Sequence, residues 1–505
     1  MADFSFDFAP AAAAERVAER PFYLGILADL SGGQSGGADQ QFLVFDVDNV
    51  DDRMRAAAPQ VAFEVANVVV GEGTLDVGLT FSELDDFGPG RVASQVPLLA
   101  ALCEARTKLA AMRSRPPADL AKGVPEVHRL LTQVLPDPVL VDALAGTPAP
   151  EPEAEEPEPA EAGLSDFERL LGGKTGHEAA APSSPLRGLF EQATAGTPQI
   201  SDQASQTLAL LLDRIDELVG KQLDAILHHD DFRRLEATWR GLHFVLESAD
   251  TDDGLSIRVL NVSKAGLAAM LEAGDLLGVD PLTREMRGEP YGALAGDFYF
   301  DHCADDVALL GRLGRVVTAL GVPFVGGAAA GLFGLATWRD LPPSLDVAAT
   351  LEGDAYAGWR ELVESPAAAR LMLAMPRFLA RLPYGPKTNP AEGIAYAERA
   401  AVDDPGAFVW CNAAWAMAAV IANAVSFDGW GAAITAGGED CMVDGLPVYA
   451  FTDRHGDSAM MCPTELPMTV ELGALLAKAG LAPLVHLKNT DRAVFIRTPS
   501  LGRGA

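Results

Sequence analysis

Residues 215–246 read IDELVGKQLDAILHHDDFRRLEATWRGLHFVL. Upstream and into this stretch, apolar residues recur at Leu208, Leu211, Leu212, Ile215, Leu218, Val219, Leu223, Ile226 and Leu227. That three-and-four spacing predicts a helix with one buried face. Ser201 and Asp202 stand where an N-cap is wanted, and Glu217 with Lys221 forms an i,i+4 pair on the outer side. After His228 and His229 a second amphipathic segment follows, with Phe232, Leu235, Trp239 and Leu242 on one face. Two packed helices are expected.

His228, His229, Asp230 and Asp231 cluster like metal ligands. Adjacent helical residues point about 100° apart, so the two histidines cannot share one ion as an i,i+4 pair can. No metal and no cofactor is expected. Glycines at 326, 327 and 334 lack the Lys-Ser/Thr of a P-loop, and Lys387-Thr388 follows a proline-rich turn rather than a Gly-rich loop. No nucleotide site emerges. Gly33-Gln34-Ser35-Gly36-Gly37 fits G-x-S-x-G, but a nucleophile elbow needs strand, sharp turn, then helix. Here the next element, QQFLVFDVD, is another strand, so a hairpin loop is the better explanation and hydrolysis through Ser35 a distant alternative.

Composition narrows the classes. Thirty-eight basic against seventy-one acidic residues in 505 give a formal charge of −33. Such a surface repels nucleic acid and anionic lipid, whose binding rests on neutralising phosphates. Five scattered cysteines without a C-x-x-C pair fit a reduced, cytoplasmic protein. No secretory signal opens the chain, because acidic residues interrupt the N-terminus. The uncharged stretch 407–427 has spanning length but contains Asn412, Asn423 and Ser426 and lacks a positive flank. A buried helix over 408–425 is expected there, without membrane insertion.

Three parts are expected: residues 1–146 as an α+β block, 147–200 as a linker, and 201–505 as an α/β domain. The first has strands at 22–29, 42–47, 61–66 and 74–82, a helix near 50–58, and a long helix over 90–112. TPAPEPEAEEPEPAEAG (147–163) has no positive charge and no aromatic, and should behave as a disordered, self-repelling tether. At polyproline spacing it reaches roughly 50 Å. From residue 201 onward helices alternate with strands at 256–262, 293–300, 322–327, 371–376, 483–488 and 493–498, the pattern of an α/β fold. At the N-terminus, Phe4, Phe6 and Phe8 alternate along a segment that wants a sheet edge. Within the linker two short amphipathic stretches follow the acidic run, one with Phe167, Leu170 and Leu171 and one with Leu186, Leu189 and Phe190.

The particular residues carry more than their periodicity. ILHHDDFRRLEATWRGLHFV (226–245), MPRFLARLPYGPKTNPAEGIAYAE (375–398), VWCNAAWA (409–416) and CPTELPMTVELGALLAKAGLAPLVHLK (462–488) resemble the large contractile-sheath subunit of bacterial type VI secretion systems, the TssC/VipB family. PFYLGILADLSG, FLVFDVDNVDDRM, PQVAFEVANVVVGEGTLDVGLTFSELDDFGP and LCEARTKLA, within 21–110, resemble the small subunit, the TssB/VipA family. The chain is therefore similar to a fusion of two proteins that normally meet as a heterodimer, with Leu223, Ile226, Leu227, Phe232, Leu235 and Trp239 expected as the docking core between the small and large parts. The resemblance implies a non-enzymatic structural role: protomers stack into a sheath, and a change of packing drives an inner tube outward. It implies as partners other sheath protomers, the inner-tube protein, the baseplate and an AAA+ ATPase that dismantles contracted sheaths. By the same resemblance, the helix at Leu186, Leu189 and Phe190 is a candidate ATPase-recognition element. Phe4, Phe6 and Phe8 are a candidate strand-exchange arm, although a strand folded back on its own domain fits them equally. The family's large subunit continues past the point matching Ala505, so its C-terminal domain is expected to be lacking. A cap, initiator or ATPase adaptor that forms no tube alone is the alternative role.

Overall fold

The computed structural model describes residues 6–7, 20–33, 41–113, 202–251, 254–277, 280–342, 345–402, 404–452 and 455–502. The acidic segment, the two short amphipathic stretches after it, Ser35, Phe4 and Phe8 lie outside these residues. Two units are distinguished by their internal contacts: residues 1–65, 76–92 and 224–505 make one, and residues 66–75 and 93–223 the other.

A nine-stranded sheet organises the larger unit. Its strands in chain order are β1 (Phe22–Ala28), β2 (Leu43–Phe45), β3 (Leu255–Asn261), β4 (Tyr291–Phe300) and β5 (Phe324–Ala328). They continue with β6 (Leu371–Met375), β7 (Met442–Val443), β8 (Leu481–His486) and β9 (Ala493–Phe495). The spatial order is β7-β9-β8-β6-β5-β4-β1-β3-β2. Six strands, from β3 to β8, run parallel, and antiparallel strands close the edges. Parallel strands buried on both faces read as apolar runs rather than alternations, and β5 and β6 are buried at every residue.

The position of β1 decides the architecture. It lies between β3 and β4, parallel to both, with Phe22 opposite Leu255 through to Ala28 opposite Asn261 on one side. A strand from the first thirty residues is thus a central strand of a sheet whose other members, β2 apart, lie beyond residue 254. The hairpin expected around Ser35 does not form: β3 is inserted between β1 and β2, and β2 pairs with β3 instead. Two strands close in sequence need not be neighbours when a long-range strand supplies the better buried partner.

The helices include α1 (Val50–Ala57), α2 (Pro89–Gln95), α3 (Pro97–Arg113), α4 (Asp202–Leu227) and α5 (Asp230–Glu247). Beyond these run α6 (Lys264–Leu277), α7 (Ala304–Leu320), α8 (Ala413–Asp428) and α9 (Val470–Lys478). The long helix expected over 90–112 is two helices, because Pro97 lacks an N–H and pushes Val96 out of the helical region. The helix expected from 408 begins only at Ala413. Trp410–Cys411 pairs with Phe378–Leu379 as a short antiparallel ladder, and the Asn412 side chain then caps the helix at the Ala414 N–H (3.0 Å). Among the described residues, no helix is long and apolar enough to cross a membrane.

In the smaller unit, α3 buries Leu99, Leu102 and Leu109, and α4 buries Leu212, Ile215, Leu218, Val219 and Leu223. Arg106 of α3 holds Asp216 of α4 through both carboxylate oxygens, the Nη2–Oδ2 bond measuring 2.9 Å. Gln222, fully buried, accepts from the Val68 N–H (2.8 Å) and donates to the Ala66 carbonyl (3.0 Å). Both ends of one amide therefore fix the loop that begins at residue 66.

Candidate functional site

The junction between α4 and α5 is built by the two histidines. His228 and His229 close the last turn of α4 through their backbone N–H groups, to Asp224 (3.0 Å) and Ile226 (3.1 Å). His229 is extended and serves as the N-cap of α5, its Nδ1 accepting from the Asp231 N–H (3.3 Å). Asp230 and Asp231 occupy the first turn, where the helix dipole favours acidic groups. The two imidazoles have different partners. His228 Nε2 lies 3.1 Å from Glu398 Oε1, while the His229 ring stacks on Phe63 at 3.9 Å between centroids.

One face of α5 is covered by side chains from the first ninety residues. Phe232 stands edge-on to Phe81 and Phe87, at 6.0 and 5.7 Å. The Trp239 indole donates to the Leu30 carbonyl (3.1 Å) and packs near Phe45 (6.5 Å). Phe63, Phe81, Phe87, Leu30 and Phe45 all precede residue 90. Leu235 is buried as well, as are Leu223, Ile226 and Leu227. Apolar burial of aromatic rings, about 150–250 Å² each, dominates such contacts.

The flank of α5 beside this face carries a charge network that periodicity did not reveal. Arg381, only 5% exposed, donates Nε to Glu236 Oε1 (2.7 Å) and Nη1 to Glu398 Oε2 (2.7 Å). Arg240 also donates to Glu236 (2.8 Å), and the Tyr384 N–H donates to Glu398 (2.9 Å) while its ring lies 4.3 Å beneath the Arg381 guanidinium. Burial would push the Glu398 carboxyl up, but the Arg381 charge and the His228 hydrogen bond outweigh it and hold the group at about 2. The sequence held one clue, the i,i+4 pair Glu236–Arg240 within amphipathic α5; its partners Arg381 and Tyr384 stand 145 and 144 residues away. A second anchor repeats the chemistry: Arg377 grips both oxygens of the fully buried Glu465 at 2.7 Å. Removing one partner of such a pair is costly, because it leaves an uncompensated buried charge.

Residues 210–502 match the family described as EvpB/VC_A0108, tail sheath N-terminal domain. The chain belongs to the VipB tail sheath family. Residues 5–148 match a second family, described as Type VI secretion system, VipA, VC_A0107 or Hcp2. The type VI secretion system sheath protein TssC1 of Pseudomonas aeruginosa is 38% identical over 345 residues, covering 66% of this chain and 69% of that protein. The sheath protein TssB1 of the same organism is 41% identical over 142 residues, covering 27% of this chain and 80% of its own. The chain thus carries both sheath-subunit families in one polypeptide. The contacts of α5 join them, since His229, Phe232 and Trp239 fall in the VipB part and Phe63, Phe81, Phe87 and Leu30 in the VipA part.

The remaining candidate residues of this sheath protein are placed as follows. Phe6 pairs in antiparallel register with Ile434 of the same chain. Phe4, Phe8, Leu186, Leu189, Phe190 and Ser35 lie outside the described residues. A cavity of about 360 Å³ opens beside α5, lined among others by Thr238, Asp297, Tyr299, Arg377 and Asn412. Burial pushes the Asp297 carboxyl up, and Thr238 donates to it at 2.6 Å. Asp301, Cys303 and Asp306 gather at the start of α7. There the carboxylates accept from the Cys303 N–H (2.7 Å) and the Asp301 N–H (2.9 Å), and Lys264 lies 2.5 Å from Asp306, so the cluster already has its donors and its cation. Gly327 of the glycine-rich stretch serves packing: a Cβ there would lie 2.3 Å from Asn412 Oδ1.

Proposed function

We propose that this chain is a fused sheath protomer in which the VipA and VipB parts act as one building block. The observation that carries this reading is the place of β1, a VipA-part strand hydrogen-bonded on both sides to VipB-part strands. A tether between two such parts sets one-to-one stoichiometry and a high effective concentration without any new contact. The role is structural rather than enzymatic. Protomers stack around an inner tube, and repacking of their interfaces from an extended to a contracted arrangement moves that tube, the work coming from interface free energy. The partners would be further protomers, the inner-tube protein, the baseplate and the disassembly ATPase, met in the cytoplasm. The helix at Leu186, Leu189 and Phe190 would serve the ATPase, while the pairing of Phe6 with Ile434 of its own chain favours Phe4, Phe6 and Phe8 as a strand folded back rather than an exchange arm.

Electron microscopy of the purified full chain tests this. Tubes, extended or contracted, are the expected result. Discrete particles that join a sheath only when a second sheath subunit is added would instead make the chain a cap, initiator or adaptor.

A further inference from the structure

Two arginines close together in sequence hold buried carboxylates, and they use their guanidinium groups differently. Arg381 turns its Nε/Nη2 edge to Glu236 (2.7 and 3.4 Å) and its Nη1/Nη2 end to Glu398 (2.7 and 3.3 Å). Arg377 turns the same Nε/Nη2 edge to Glu465, with both bonds at 2.7 Å. Its Nη1 end meets no second carboxylate among the described residues. Arg377 lines the cavity of about 360 Å³ beside α5, whereas the fully buried Glu465 does not. The end turned away from Glu465 is therefore the part of the guanidinium that reaches the cavity, and the side chain is 32% exposed against 5% for Arg381. A guanidinium carries its N–H donors in a fixed fork, which suits one carboxylate on each of two sides.

Tyr299 of β4 lines the same cavity. Burial pushes its phenol well up, with the Arg377 charge opposing, so at neutral pH it is a donor. Its hydroxyl has no hydrogen-bond partner among the described residues. Apolar wall comes from Ala237, Phe408 and Trp410, the two rings 5.9 Å apart. We propose that this cavity binds a small organic carboxylate with an apolar body, its carboxylate held by Arg377 Nη1 and the Tyr299 hydroxyl and its body against Phe408 and Trp410. Sites for small molecules occupy about 300–1,000 Å³ and are mostly apolar with a few convergent polar groups, and this cavity meets both conditions.

The neighbouring charges are compatible with an anion. Arg233 and Arg234 also line the cavity, Arg233 paired with Asp230 (2.7 Å) and Arg234 with Asp231. Asp297 is the acidic lining residue without a cation of its own. Its Oδ2 accepts from Thr238 (2.6 Å), and burial pushes its carboxyl up, which weakens its repulsion of an incoming carboxylate. Each lining arginine already holds one carboxylate, so the ligand would be the second for Arg377, as Glu398 is for Arg381.

The test is equilibrium dialysis of the full chain against benzoate, with benzamide as the uncharged probe of the same shape. Benzoate should bind saturably with a dissociation constant of about 1 mM or tighter, and benzamide about tenfold more weakly. No saturation up to about 10 mM, or equal binding of the two probes, would overturn the proposal. Arg377→Lys keeps a cation for Glu465 but loses the second end of the fork, and should weaken benzoate about tenfold. If that variant fails to fold, Tyr299→Phe decides, because it removes one hydroxyl and keeps the ring. Benzoate should again weaken about tenfold, and an unchanged affinity in either variant would place the binding elsewhere and refute the site.

Discussion

Replacing Arg381 with Met removes the cation that two buried carboxylates share, leaving Glu236 with Arg240 and Glu398 with His228 and the Tyr384 N–H. Glu236 and Glu398 have side chains 0% and 1% exposed, and both point at the guanidinium. Removing one partner of a buried pair costs about 3–5 kcal/mol, because the charge left behind has no solvent to return to. Glu398 provides an independent figure. It is held at about 2 against 4.5, and at about 1.4 kcal/mol per pH unit the difference is worth about 3 kcal/mol. Its folded-state value is depressed, so in the parent chain this stability is fully present above pH 4.5 and is lost as pH falls towards 2. In the Arg381→Met chain the sign reverses. Burial then holds the Glu398 carboxyl up, the penalty is largest near neutrality, and proton uptake relieves it as pH falls. Urea unfolding followed by tryptophan fluorescence should therefore show a gap of about 3–5 kcal/mol at pH 7 that narrows by pH 4.5. A gap below about 1 kcal/mol at pH 7, or one that stays constant with pH, would refute the reasoning.

Trp239→Ala should cost about 3–5 kcal/mol in the same measurement, since the indole is 1% exposed and covers the VipA-part residues. Trp239→Phe should cost only about 1–2 kcal/mol for the unmet Leu30 carbonyl, and equal losses in both variants would contradict that division. Gly241→Ala gains about 1 kcal/mol of helix propensity but sets a Cβ 2.5 Å from the Trp415 ring. A net loss of about 1–3 kcal/mol is expected, and a more stable variant would mean that α5 and α8 do not pack this closely. A protease site placed within 147–163 and cut should leave the two pieces eluting together from a sizing column at neutral pH, because β1 is bonded on both sides. Separate elution would show that the tether, not the sheet, holds the parts together.

Much of the local structure was legible. The apolar spacing from Leu208 to Leu242 located α4 and α5, and the apolar runs located β3 to β6 and β8, because helix and strand periods are properties of neighbouring residues. The core positions Phe232, Leu235 and Trp239 follow from that spacing. Misplaced boundaries had local causes too: Pro97 divided one expected helix, and Asn412 started another later than apolarity suggested. The charge network was not legible. Arg381 reads in sequence as a surface cation, and nothing near it announces Glu236 or Glu398.

Taken by itself, the sequence determined which segments are helices and strands, which face of α5 is buried, and which two families the chain joins. Only the tertiary structure decided that β1 enters the sheet between β3 and β4, that β2 does not pair with β1, and that Arg381 closes a buried bridge between α5 and the segment at Glu398. The physical reason is range. Periodicity and capping are settled within a few residues, whereas strand neighbours and ion-pair partners more than two hundred and more than one hundred residues apart are chosen by the free energy of burying them together.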